Sequence, residues 1–267
     1  MSDSMSILDL TIEDLFPNIF NRQYFFVSPN DKVYMACICL IPSIEIYIDG
    51  VVVIDNEKLV GMIGSKNILN AYYEHGSKIL YKEAREIMYD STVYIKPDNK
   101  LSEFLDHMRK HRLGFLPVIN NSIIAVASIY DILRLITKHA INISITEIAS
   151  KLLVIDDNYN IKDALKIMIE KNIRRLFFKE DDGIYAIVDR DILDFIVNNI
   201  VMENRDINIE ELKINTIKKR KILEIDSKTS ISNAAILLLK EKAPSSLIID
   251  KEYVVTAWDI VTKVKYK

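Results

Sequence analysis

Glutamine occurs once in the 267 residues, at Gln23, tryptophan once and cysteine twice. Two cysteines exclude a scaffold built on disulfides. The scarcity of glutamine beside abundant isoleucine, lysine and glutamate points to a heat-adapted composition, although asparagine is plentiful. Positive charge is not in excess: 35 Lys and Arg against 38 Asp and Glu leave a net charge of −3. That argues against the broad cationic surface of a non-specific DNA binder. No apolar run reaches the roughly 18 residues a membrane span needs; Ile123 to Tyr130 ends at a charged residue. Residues Met1 to Leu10 carry Asp3 and Asp9 where a secretory signal has a basic region, so a cytoplasmic protein is expected. Hydrophobic residues at 49% and charged residues at 27% give globular composition, with room for one large domain or two ordinary ones.

An internal repeat organises the chain. Four segments open with a short extended piece: Phe25 to Val27, Val93 to Ile95, Leu153 to Ile155 and Leu223 to Ile225. Each continues with apolar residues at i, i+3, i+4 and i+7, one stripe of an amphipathic helix. The stripes are Val33-Ala36-Cys37-Leu40, Leu101-Phe104-Leu105-Met108, Ile161-Ala164-Leu165-Met168 and Ile231-Ala234-Ala235-Leu238. Two β-rich runs around a polar turn follow in every case and predict a hairpin, for example Leu116 to Ile119 and Ile123 to Ala127 around Asn120-Asn121. A second helix is expected to start at Asn67, Asp131, Asp191 and Asp259. The unit is β-α-β-β-α, four times over, in an α+β protein. A unit of about 60 residues buries too little surface to stand comfortably alone. The repeats are therefore expected to pair, as 11–138 and 139–267, with the division between Lys138 and Ile143.

The unit resembles the cystathionine-β-synthase (CBS) domain, through phrases such as Asn172-Ile173-Arg174-Arg175-Leu176, Gly114-Phe115-Leu116-Pro117-Val118 and Asp189-Arg190-Asp191-Ile192-Leu193. Four in a row resemble two tandem pairs (Bateman modules), as in the γ subunit of AMP-activated protein kinase and in stand-alone archaeal CBS proteins. The family's strand-to-helix signature is Gly, two apolar residues, Thr or Ser, two variable residues, then Asp. Repeat 2 keeps Ser128 and Asp131, and repeat 4 keeps Thr256 and Asp259. Repeat 3 has Val188 at the hydroxyl position but retains Asp191. Repeat 1 has Gly64 there, with Ser65 beside it, and ends in Asn67.

The resemblance implies a non-enzymatic regulator that binds an adenosine-containing ligand between the repeats of a pair. AMP comes first, then ADP or ATP; S-adenosylmethionine, needing no phosphate arginine, is less favoured. An aspartate at a helix start can accept two hydrogen bonds from vicinal ribose hydroxyls, and Ser128 or Thr256 adds a contact. The same residues fit an ordinary capping box. Ile173 would flank the adenine, and Arg174 or Arg175, with Arg190 as a third candidate, would meet phosphate. Neighbours in a strand point to opposite faces, so at most one of Arg174 and Arg175 aims at a given phosphate. The Asp131 cleft faces Asp49 and Gly50 at the corresponding place, so it should disfavour phosphate.

Other features have plainer readings. Cys37 falls on a buried stripe, and His107 and His111, at i and i+4, lack further zinc ligands. Lys218-Lys219-Arg220-Lys221 is the one basic run, a solvated loop or, as the rival function, a nucleic-acid contact. A second rival is a structural CBS protein with empty clefts. Trp258 either lines a cleft or anchors its helix. No nucleophile elbow, phosphate loop or HExxH motif is present, so no catalysis is expected. The output must pass to another protein. The apolar faces of the second helices, such as Ile132, Leu133, Leu135 and Ile136, call for either a homodimer or packing of pair on pair within one chain.

Overall fold

The computed structural model describes residues 6–41, 50–89, 93–138, 143–205, 207–241 and 245–264. The four first helices form where the stripes lie: α1 (Val33–Leu40), α3 (Leu101–His111), α5 (Ile161–Glu170) and α7 (Ile231–Lys240). Every stripe residue is buried. The hairpins pair antiparallel as expected, with strands Val51–Asp55 and Lys58–Ile63, Phe115–Asn120 and Ser122–Ser128, Arg175–Glu180 and Gly183–Val188, and Ser246–Ile249 and Tyr253–Thr256. The opening extended pieces lie parallel to the first hairpin strand, as in Phe26 against Val52, Ile95 against Val118, Val154 against Phe177 and Glu224 against Ile248.

The second helices are α2 (Ser65–His75), α4 (Ile129–Ile136), α6 (Asp189–Val197) and α8 (Ala257–Lys263). Each begins two residues before the position read from the sequence. The residue at the hydroxyl place is the N-cap, and Asn67, Asp131, Asp191 and Asp259 occupy the third helical position. Gly76, at φ 64°, ends α2 in a left-handed conformation that glycine adopts without steric cost.

The repeat has a further part that the sequence reading did not separate out. A leader segment precedes each opening strand and packs on the other repeat of its pair. Thr11 bridges Lys100, Glu83 bridges Lys32, Ser144 bridges Ser230 and Lys213 bridges Asn160. The bridge partner is in every case the residue just before a first helix. Ile12, Ala84, Ile145 and Ile214 follow the bridge, each at 0% exposure, and insert into the partner repeat's core. Repeats 1 and 2, and likewise 3 and 4, thus exchange leaders.

Hydrophobic contacts run along two directions. One core joins repeats 2 and 4, including Phe104, Leu133, Leu238 and Ile260. A second joins repeats 1 and 3, including Leu40, Ile68, Leu165 and Ile192. Between repeats 1 and 2, the hairpins meet face to face through Val52, Met62, Phe115, Ile123 and Val126. Between repeats 3 and 4, Phe177, Ile184, Ala186, Ile248 and Val254 do the same. Hairpins join the repeats within a pair, and helices join one pair to the other. Ile132, Leu133 and Ile136 are buried, with Leu135 packed against the same core, which repeat 4 completes. Of the two ways to cover the second helices, the chain uses packing of pair on pair for the apolar face of α4. Residues 139–142, inside the expected division between pairs, lie outside the described residues.

Candidate functional site

The residue at the third position of each second helix closes its own helix start with one oxygen. The backbone N–H of Ser128 donates to Asp131 Oδ2 at 2.8 Å, that of Val188 to Asp191 Oδ2 at 2.9 Å, and that of Thr256 to Asp259 Oδ2 at 2.9 Å. Ser128 Oγ and Thr256 Oγ1 donate to the same oxygens at 3.0 and 2.7 Å. The capping box is therefore present, and it uses only half of each carboxylate. In repeat 1, Asn67 Oδ1 accepts from Gly64 N at 3.0 Å. Its remaining group is an amide NH₂, a donor, which cannot accept a ribose hydroxyl's proton.

The second oxygen of each aspartate meets a cation. Asp131 is held by both ends of the Arg22 guanidinium, at 2.8 and 2.9 Å, and by Arg134 at 3.0 Å. Asp191 Oδ1 is paired with Arg220. Asp259 Oδ1 lies 2.7 Å from Lys263 Nζ and 3.4 Å from Ser150 Oγ. Burial raises the Asp191 carboxyl above its ordinary value, opposed by the Val188 N–H and the Arg220 charge.

Grooves open beside these positions, each between a second helix and the leader of the pair partner. One of about 630 Å³ lies beside Asn67, one of about 570 Å³ beside Asp191 and one of about 310 Å³ beside Asp131. At the corresponding place in repeat 4, Lys263 Nζ donates to Ile148 O at 2.8 Å and Ser150 Oγ at 3.1 Å, spanning from helix to leader.

The candidate phosphate residues divide. Arg174 donates to Asp189 Oδ2 at 2.5 Å and to Ser65 Oγ at 3.2 Å, tying repeat 3 to repeat 1. Arg175 turns the other way, donating from Nη2 to Ser245 O at 3.0 Å in repeat 4. Its Nε is sealed from solvent and has no hydrogen-bond partner among the described residues, and Ser246 Oγ is in the same condition. Burial lowers the Arg175 guanidinium from its ordinary value, with Tyr130, Asp189 and Asp259 near enough to pull it back up. Arg175 and Asp259 are thus in one electrostatic neighbourhood. Arg190 is fully buried. Ile173 lines a narrow slot between α2 and α5, with Leu69 and Leu165, on the repeat 1 to repeat 3 side.

Among known protein families, the CBS domain model matches residues 84–138 and 145–198. Two CBS-domain matches thus fall in this chain, one on repeat 2 and one on repeat 3. Its fold, over 95% of its length, is that of protein MJ1225 from Methanocaldococcus jannaschii, proposed as an archaeal homolog of g-AMPK, at 17% identity, a TM-score of 0.76 and 99% coverage of that chain. Two curated proteins of the same organism match in part. MJ1232 is 33% identical over 95 residues, which cover 35% of this chain and 30% of that protein. The zinc metalloprotease MJ0392 is 30% identical over 113 residues, 42% of this chain and 31% of that protein. The matched portion spans about a third of each relative. The fold is four CBS repeats in two Bateman pairs.

In this CBS frame the remaining candidates fall into place. Cys37 is buried in the repeat 1 core, its thiol pushed up to about 12 by burial. The His107 and His111 rings stack 6.1 Å apart, and no group of three or more potential metal ligands occurs among the described residues. Trp258 packs against the core of repeats 2 and 4. No helix among the described residues is long and apolar enough to cross a membrane. Asp49 lies outside the described residues. Arg22, Arg220 and Lys263, which set the state of three clefts, were not among the site residues read from the sequence. The leader offered a signal: Ile12-x-x-Leu15, Ala84-x-x-Ile87, Ile145-x-x-Ile148 and Ile214-x-x-Ile217 recur ahead of the strands.

Proposed function

We propose that this chain is a non-enzymatic regulator that binds an adenine nucleotide at Asp259, between repeats 3 and 4, and transmits the bound state to a partner protein. The observation that carries the reading is the Asp259 carboxylate itself. One oxygen is fixed by the helix cap, the other is turned toward the leader, and its cation is a single lysine with 42% of its side chain exposed. With the lysine end exposed, solvent screens this single contact more than it would a pair buried at both ends. A hydrogen bond to an ionised acceptor contributes roughly 1.5–3 kcal/mol, so two ribose hydroxyls can displace Lys263 at a net gain. Asp191 and Asp131, with Ser128, rank after it.

AMP is the first candidate, then ADP or ATP, because a phosphate would satisfy the orphaned Arg175 Nε; S-adenosylmethionine would leave it idle. Binding would shift the orientation of the pairs, 11–138 and 139–267, through contacts such as Arg174 with Asp189 and Ser65. The nucleic-acid reading is disfavoured by the basic run itself. Lys219 pairs with Asp157 and Glu180, Arg220 with Asp191 and Lys221 with Asp182. Calorimetry and thermal unfolding with AMP, ADP, ATP, adenosine and S-adenosylmethionine test the proposal. AMP should bind and raise the melting temperature, and Asp259→Ala should weaken the binding roughly ten- to a hundredfold and shrink the shift accordingly. No response to any adenosine compound at millimolar concentration would leave a structural CBS protein.

A further inference from the structure

The leaders carry one position that is equivalent in all four repeats. It lies opposite the residue two before the N-cap of the partner's second helix. Arg22 reaches the Val126 carbonyl there at 2.7 Å, Tyr89 exchanges backbone bonds with Met62, Ser150 pairs with Val254, and Arg220 pairs with Ala186. Two of the four are arginines, and both place their guanidinium on the partner repeat's aspartate, Arg22 on Asp131 and Arg220 on Asp191. The two arginines stand in different pairs and in different halves of those pairs, so the arrangement occurs twice independently.

A guanidinium offers a carboxylate two parallel N–H donors, the same two-donor geometry that a vicinal diol offers. We infer that Arg22 and Arg220 are specificity-determining residues that occupy the ribose place of two clefts and leave Asp259, held by a lysine in place of a guanidinium, as the acceptor a nucleoside takes first. The inference rests on the proposed adenine-nucleotide function and adds to it which clefts are withheld. The Arg22 contact is the firmer of the two. Both guanidinium ends engage Asp131, which is 5% exposed, and the Val126 carbonyl takes a further N–H. Arg220 reaches Asp191 from a side chain that is 41% exposed, beside the groove of about 570 Å³. Displacing the bidentate Arg22 leaves two partly buried charges to be resatisfied, a larger cost than breaking the single contact Lys263 makes with Asp259. Arg220, by contrast, holds Asp191 through one contact of similar exposure to that of Lys263.

The two arginines also connect ligand state to the leaders. Arg22 follows Ile12, Phe16 and Ile19, all packed in the core of repeats 2 and 4. Drawing Arg22 off Asp131 pulls on that segment.

Calorimetric titration of AMP and adenosine into the full chain, with Arg22→Ala and Arg220→Ala, tests the inference. Circular dichroism and melting curves report whether each variant is folded, and Arg22→Gln serves as a milder second variant. The wild type should show one site. Each arginine variant should gain a second, binding at least about tenfold tighter there than the wild type does. Asp131→Ala placed on Arg22→Ala should remove the gained site and leave the Asp259 site untouched. Should the wild type bind AMP while folded Arg22→Ala, Arg22→Gln and Arg220→Ala gain nothing, the inference is overturned and the proposed function stands. Should neither the wild type nor any variant bind an adenosine compound, both fall together.

Discussion

The two pairs differ in chemistry at the residue that opens each hairpin. In the first pair the equivalent residues are Gly50 and Phe115; in the second they are Arg175 and Ser246. The Phe115 ring lies directly on Gly50, where an added Cβ would fall 1.9 Å from Cε1. That centre is apolar and closed. In the second pair the same place holds a guanidinium Nε and a hydroxyl, both sealed from solvent and both without hydrogen-bond partners among the described residues. Buried polar groups are ordinarily paired, and leaving one unpaired costs about 1–3 kcal/mol. One backbone plan thus serves a packing centre in one pair and a polar centre in the other, and the polar centre lies near Asp259.

The comparison can be broken most forcefully at Gly50. Gly50→Ala should lower stability by about 1–3 kcal/mol, the cost of overpacking a filled core, seen as a reduced urea midpoint. An unchanged midpoint would show that Phe115 is free to move and that the first pair is not closed. Next in size is Asp259→Ala, which should weaken AMP roughly ten- to a hundredfold in calorimetry through loss of the ribose bonds. Retention of the tightest site would assign Thr256 and Asp259 to capping alone. Arg175→Ala should weaken AMP about tenfold and adenosine much less, because only AMP brings a phosphate. Equal losses for the two ligands would remove Arg175 from the phosphate role.

Smaller effects sharpen the contrast. Ser246→Ala deletes an unpartnered buried hydroxyl, so it should be neutral or stabilising by up to about 1 kcal/mol in thermal unfolding, the opposite sign from Gly50→Ala. The smallest effect concerns Asp191, whose native pKa is raised by burial. Its charged form is therefore penalised above the native value. The wild type gains stability as pH falls through that value toward the ordinary carboxylate value, where the gain is complete. Melting of Asp191→Asn against wild type should show any advantage of asparagine at neutral pH shrinking on acidification. A difference that is constant with pH would contradict the raised value.

The elements were legible because their signals are local. Val33 to Leu40 and the three stripes like it state a helix and its buried face in eight residues, and each hairpin is announced by its own polar turn. The aspartates were legible for the same reason, since Ser128 with Asp131 and Thr256 with Asp259 are neighbours on one turn. The capping expectation is met, with one oxygen closing the helix start, and the other oxygen faces the leader. Ile173 and Arg174 read as site residues from their resemblance to the family. Instead they lie on the side facing repeat 1, because only folding brings Ser65 and Asp189 together.

By itself, then, the sequence determined four β-α-β-β-α repeats, their buried stripes and the place of each signature residue, all carried by periodicities a few residues long. Tertiary structure alone decided that the leaders cross to the partner repeat, that repeat 1 shares its core with repeat 3 and repeat 2 with repeat 4, and that Arg22 closes on Asp131 from 109 positions away. The physical reason is that a carboxylate's partner is whichever cation the folded chain carries within about 4 Å of it. At that separation along the chain no local pattern records which one arrives.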